Sequence, residues 1–217
     1  MAEKKMGKPC KKAGECCIIE LSFPARRSAV RTKKEASVMG DKKILVVVDM
    51  QNDFIDGALG TKEAQMMVPA AAARIRACKE AGYTVIATLD THGDDYMDTR
   101  EGKFLPVPHC IRNTGGWHIR PEIRDALGDG ALLVEKPTFG SVRLPQIIRE
   151  KCGEEGPGAI ELLGLCTDIC VVSNALLLKA AFPEADFVIR ADCCAGVTPE
   201  KHLAALETMR SCQIEIV

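Results

Sequence analysis

The sequence predicts an α/β fold over residues 41–217: three layers, α/β/α, around a six-stranded, mainly parallel sheet. Three observations predict it. Short apolar runs rich in β-branched residues alternate with stretches of helical length, the signature of repeated βα units with right-handed crossovers. The runs are continuous rather than alternating, as in strands buried on both faces. Aromatic content is only 4%, so the interior is aliphatic, as suits helices stacked on a Val/Ile/Leu sheet.

Ile44 to Val48 forms the first strand. An Ala-rich helix over 65–81 ends at Gly82, and Thr84 to Leu89 is the second strand. A long irregular stretch, 90–118, precedes a short helix over 121–127. Ala131 to Glu135 is the third strand, followed by a helix over 141–151. Ile160 to Leu163 is the fourth, followed by a helix over 168–181 in which Thr167 is the N-cap. Phe187 to Ile189 is the fifth strand, 199–211 a helix, and Ile214 to Val217 the last strand.

Residues 1–40 stand apart. They carry Lys4, Lys5, Lys8, Lys11, Lys12, Arg26, Arg27, Arg31, Lys33 and Lys34 against few acids and show no periodicity. A basic arm for nucleic acid or a partner is one reading. The reading preferred is a disordered extension, or a start placed too early, because Met39-Gly40-Asp41 directly before the first strand resembles a natural beginning. The net charge of −1 gives no bias toward nucleic acid, and no apolar run spans a membrane. Eleven cysteines without a secretory pattern are expected as reduced thiols in a cytoplasmic protein, most of them packed as small hydrophobes.

Ligands of parallel α/β sheets bind at the carboxyl ends of the strands, and here those ends are charged. The first ends in Asp49, the second in Asp90 with His92 behind it, and the third in Glu135-Lys136. The fourth leads to Cys170. A thiol in the first turn of a helix is favoured as thiolate by unpaired N–H groups and a nearby ammonium such as Lys136. Packing is the competing reading for Cys170, and a plain buried ion pair the competing reading for Asp49 and Lys136. Asp90, His92, Glu101 and His109 fall within 90–109, where Asp-x-His at a strand end lets ligands converge on an ion. His118 and His202 read as ordinary surface residues.

Three segments carry a resemblance. Val48-Asp49-Met50-Gln51-Asn52-Asp53-Phe54, Lys136-Pro137-Thr138-Phe139-Gly140-Ser141 and Gly164-Leu165-Cys166-Thr167-Asp168-Ile169-Cys170-Val171 resemble, in order, the opening motif, lysine loop and nucleophile turn of the nicotinamidase/isochorismatase-like cysteine hydrolases. The resemblance covers about residues 43–217 and implies the Rossmann-like fold of that superfamily. It implies an Asp49–Lys136–Cys170 triad, an oxyanion hole from the backbone N–H groups of Cys166 and Cys170, and a non-proline cis peptide at Leu165–Cys166.

Asp90-Thr91-His92 and Pro108-His109-Cys110 are similar to the ligand motifs of the nicotinamidase branch, and Glu101 lies near a further ligand position. The resemblance thus implies a divalent metal (zinc, iron or manganese) on Asp90, His92, His109 and Glu101, which in that branch binds the pyridine nitrogen of the substrate. Two aromatic positions of that branch are Thr91 and Pro106 here, leaving Phe54 and Phe139 as pocket walls. The implied activity is amide hydrolysis through a thioester, releasing ammonia from a small nicotinamide-like substrate, in a homo-oligomer. N-carbamoyl or linear amides, isochorismatase-type chemistry and a silent binding domain are the alternatives.

Overall fold

The computed structural model describes residues 40–153 and 155–217; the expectations for residues 1–39 lie outside the described residues. The elements are β1 (Lys43–Val48), α1 (Asn52–Ile55), α2 (Lys62–Glu80), β2 (Thr84–Asp90), α3 (Arg100–Phe104), α4 (Pro121–Leu127) and β3 (Leu132–Lys136). They continue as α5 (Leu144–Cys152), β4 (Ala159–Leu165), α6 (Val172–Ala181), β5 (Asp186–Ala195), α7 (Pro199–Ser211) and β6 (Glu215–Ile216). All strand pairs are parallel, in the order β3-β2-β1-β4-β5-β6. The order reverses between β1 and β4, the switch point where such sheets open a crevice at their carboxyl ends.

Ile44 to Val48 are almost fully buried in the central strand, each such side chain contributing about 1.5–3 kcal/mol. Against this sheet α2 presents Ala64, Met67, Val68, Ala71, Ala72, Ile75 and Cys78, spaced by three and four residues on one face. The α2 helix begins three residues earlier than expected, because the Thr61 hydroxyl caps it by accepting from the Ala64 N–H at 3.0 Å. Helices α2 and α4 pack together, and α5 to α7 pack in succession. Beneath α2 the carboxylate of Glu161 of β4 is bound bidentately by Arg74 at 2.5 and 2.6 Å, as a buried carboxylate requires.

Several expectations need correction. The stretch 90–118 is not wholly irregular, since it holds a short 3₁₀ turn at Tyr96–Asp98 and α3. Strand β5 is longer than Phe187–Ile189, and its register with β4 shifts between Leu162 and Gly164. Helix α5 starts at Leu144, and β6 is only two residues long. Among the described residues no helix is long and apolar enough to cross a membrane.

Gly164 of β4 lies opposite Val48 of β1. Its φ of 125° suits glycine alone, and a Cβ there would collide with the carbonyl oxygen of Val48, its register partner. The residues that follow these two partners lead directly into the site.

Candidate active site

Asp49 leaves β1 in a left-handed conformation, φ 47°, which few non-glycine residues adopt. It is held there by Thr88 of the neighbouring strand. The Asp49 N–H donates to the Thr88 carbonyl and hydroxyl oxygens at 3.2 Å each, and the Thr88 hydroxyl donates to Asp49 Oδ1 at 2.6 Å. Lys136 ends β3 in register with Asp90. Its Nζ lies 2.7 Å from Asp49 Oδ2, 3.2 Å from Asp90 Oδ1 and 3.5 Å from Cys170 Sγ. All four side chains are buried, Asp49 and Lys136 to within 1%. Glu135, the other charge at that strand end, turns away and pairs with Arg112.

Burial is the largest influence on each member of this group. It pushes the Asp49 carboxyl up despite the opposing pull of Lys136, and it pushes the Cys170 thiol well above its ordinary value, with the Asp49 charge adding to the effect. For Lys136 burial works downward, but Asp49 first, then Cys170 and Asp90, hold the ammonium above its ordinary value. Burial thus works against the thiolate expected of Cys170 from its position, while the Lys136 charge works for it.

The turn carrying Cys170 also differs from the expected helix start. The Val171 N–H reaches back five residues to the Cys166 carbonyl at 3.1 Å, making residues 167–171 a widened π turn before α6. Thr167 is not the cap. Cys166 occupies the cap position, and the Leu165–Cys166 peptide is cis. The Thr167 hydroxyl instead bonds His202 Nδ1 of α7 at 2.8 Å, so His202 is a half-buried support of the turn rather than a surface residue.

Burial lowers the His202 pKa, opposed by Asp168. The unfolded chain then takes up a proton near the ordinary value of about 6.5, before the folded chain does. Stability is fully present above that value and falls as pH drops through it. His202→Gln is expected to flatten the part of the urea-midpoint decline between about pH 7 and pH 5 that this group causes. An unchanged decline would assign it to other groups.

Beside the triad, Asp90, His92, Glu101 and His109 bring one ligand atom each to within 4.8 Å of one another. His92 Nε2 lies 3.0 Å from Asp90 Oδ2, and His109 Nε2 lies 3.5 Å from the same oxygen. Glu101 Oε1 is 3.7 and 3.8 Å from the two nitrogens. His109 Nδ1 donates to the Val107 carbonyl at 2.8 Å, which leaves Nε2 as the ring nitrogen facing the cluster. Burial opposes ionisation of Asp90, but bonds to His109 and His92 and the Lys136 charge outweigh it and keep the carboxyl low. Glu101 is pushed up by burial and by the Asp90 charge. Two imidazole nitrogens and two carboxylates, largely buried, fit a divalent ion of the zinc, iron or manganese type.

The two groups open into one cavity of about 240 Å³. Phe54 and Phe139, Leu59, Leu105, Ile169 and Val197 wall it, with Cys166, Cys170, Asp90, Glu101, His109 and Lys201 on its surface. Phe54 is buried and meets the His109 ring edge-on at 5.5 Å, whereas Phe139 is 45% exposed at the rim.

Supporting residues that carried no sequence signal complete the site. Gln51 bonds both main-chain groups around Asp90, accepting from its N–H at 2.7 Å and donating to its carbonyl at 2.9 Å. Asn174 donates to the Cys170 carbonyl at 2.8 Å and accepts from the Ser141 N–H at 2.9 Å, tying the nucleophile turn to the lysine loop. Asp53 holds the loop behind His109 by accepting from the Cys110 N–H at 2.7 Å. Gln51 and Asp53 stand in the opening segment and Asn174 one helical turn after Cys170, which is the only hint of them in the sequence.

Known proteins are similar to this chain over most of its length. The chain is 27% identical over 198 residues to a nicotinamidase/pyrazinamidase of Mycobacterium tuberculosis, covering 81% of this chain and 98% of the relative. A pyrazinamidase of Pyrococcus horikoshii solved in complex with zinc is similar at a TM-score of 0.70 and 29% identity, over 81% of this chain and 98% of that one. An N-carbamoylsarcosine amidase of Thermoplasma acidophilum is similar at a TM-score of 0.66 and 27% identity, over 81% and 95%. An isochorismatase domain matches residues 43–217, and the chain belongs to the isochorismatase family.

Proposed function

We propose that this hydrolase-family chain is a cysteine-dependent amidohydrolase, cleaving the C–N bond of a small nicotinamide-like amide to a carboxylic acid and ammonia. The observation that carries the reading is the buried ammonium of Lys136, which touches the Asp49 carboxylate and the sulfur of Cys170, a residue on the cavity surface. A resting thiol needs a base, and burial has raised the basicity of the carboxylate placed to serve.

Asp49 takes the thiol proton as Cys170 Sγ bonds to the amide carbon, and the carbonyl electron pair moves onto the oxygen. The N–H groups of Cys166 and Cys170 are the donors proposed to hold that oxyanion. When it collapses, the C–N bond breaks and Asp49 passes its proton to the departing nitrogen, leaving a thioester. Asp49 then removes a proton from water, which adds to the thioester carbon. The C–S bond breaks and the thiol regains the proton. Lys136 stays charged throughout, offsetting whichever partner is anionic.

Asp90, His92, His109 and Glu101 would hold the metal, which when bound supplies a Lewis-acidic contact that orients a ring nitrogen of the substrate. Phe54 and Phe139 would flank the ring. The similarity to a zinc-bound pyrazinamidase supports this set. All eight described cysteines are free, which supports a reducing, cytoplasmic setting; a homo-oligomer is the assembly the resemblance implies. The test is ammonia release from nicotinamide by the purified protein with and without added zinc or manganese. Release that needs metal supports the reading. Release only from N-carbamoyl amides would favour the second reading, to which Thr91 and Pro106 lend weight by replacing ring-flanking aromatics.

His92→Ala is expected to weaken metal binding by about 100-fold or more and to raise the KM for nicotinamide with it. Metal analysis after dialysis checks the first effect. An unchanged metal content would remove His92 from the site.

A further inference from the structure

We propose that Asn174 is a positioning residue with two separable duties: it sets the direction of the Cys170 side chain, and it holds the Phe139 wall of the cavity against the substrate ring. The proposal rests on the amidohydrolase reading and deepens it. Asn174 lies in α6, four residues after Cys170, and is fully buried. Its Nδ2 donates to the Cys170 carbonyl at 2.8 Å and to the Phe139 carbonyl at 3.2 Å, and its Oδ1 accepts from the Ser141 N–H at 2.9 Å. Two carbonyls and one N–H fix which end of the amide is which, and both amide hydrogens are used.

The first duty follows from the peptide plane that links Cys170 to Val171. Its N–H donates to the Cys166 carbonyl at 3.1 Å and its C=O accepts from Asn174, so the plane is pinned at both edges. A rigid plane so pinned fixes ψ of Cys170, and with it where Sγ lies relative to Lys136 and the cavity. The second duty follows from the lysine loop. At its start the Lys136 carbonyl, ending β3, accepts from the Thr91 N–H at 2.9 Å. Residues 137–140 belong to no helix or strand, and at their far end Asn174 holds the main chain on both sides of Gly140. That glycine lies so close to α6 that a Cβ would come within 2.6 Å of Leu177. The half-exposed Phe139 ring is thus placed on the cavity by its main chain more than by packing.

The two duties come apart on substitution. A threonine hydroxyl on a helix can still bond the carbonyl four residues back, but it does not span the loop as the amide does. The test follows ammonia release from nicotinamide by the metal-loaded enzyme, with the melting temperature of each variant. Asn174→Leu, which loses all three bonds, is expected to lower kcat and raise KM by about tenfold each. Asn174→Thr is expected to keep kcat within about threefold of the parent and to raise KM by about tenfold. In a Phe139→Ala background the same Asn174→Thr change should move KM by less than about twofold, because the wall it positions is gone. Parental kcat in a folded Asn174→Leu protein, or a kcat lowered tenfold or more in Asn174→Thr, overturns the first duty. An unchanged KM in Asn174→Thr, or an equal rise in the Phe139→Ala background, overturns the second. Both of these leave the amidohydrolase standing. No release from nicotinamide by the parent enzyme overturns the nicotinamide-like reading itself, and the two duties with it.

Discussion

Cys170→Ala is expected to fold normally and to lose amide hydrolysis by a factor of about 10⁴ or more, the scale on which enzymes respond to removal of a covalent nucleophile. The residue is buried, but alanine removes a single sulfur from a turn fixed by other groups. The Asn174 bond goes to the Cys170 carbonyl, and the widened turn is closed by the Val171 N–H. Melting temperature and ammonia release, measured on the same preparation, separate folding from chemistry. Activity within tenfold of the parent would move the nucleophile elsewhere, with Cys166 on the same cavity surface the first position to examine.

Lys136→Met should damage stability as well as rate. The parent lysine is the counter-charge of Asp49 and Asp90 and is 1% exposed. Removing one partner of a buried ion group leaves the others uncompensated, at a cost of roughly 3–5 kcal/mol. In a chain of this size that lowers the melting temperature by something on the order of 10 °C. Adding Asp49→Asn to Lys136→Met should recover part of the loss, because one of the stranded charges is gone, without restoring turnover. An unchanged melting temperature in the single variant would mean that the two carboxyls are not both ionised in the folded protein.

What the sequence made legible was whatever repeats or ends abruptly. Ile44 to Val48 reads as a buried strand because five apolar, mostly β-branched residues stand together, and Asp49 is conspicuous because it breaks that run. Strand β5 was legible only to Ile189, since Arg190 and Asp192 interrupt its apolar pattern where it slips past β4. The widened turn at Cys170 was not legible, because a change in hydrogen-bond register leaves no trace in residue spacing. Neither was the upward push of burial on the Cys170 thiol, which depends on how completely the fold removes water. His202 was misread for a related reason: a lone histidine on α7 gives no sign of the Thr167 hydroxyl that meets it. The convergence of Asp90, His92, Glu101 and His109 was expected from their clustering, but the second layer of Gln51, Thr88 and Asn174 was not. Neutral side chains that serve main-chain groups show no periodicity and no charge.

The glycine at position 164 has a bearing on how this enzyme can be altered. Between the strand that delivers the carboxylate and the strand that delivers the thiol there is no room for a methyl group. The spacing of Asp49 and Cys170 is therefore a property of the main chain, beyond the reach of side-chain substitution nearby. Leu105, Phe139, Val197 and Lys201 belong to helices and loops outside the sheet and line the cavity. Directed evolution toward new amides has a free hand with that outer set, while the floor beneath it accepts almost no change.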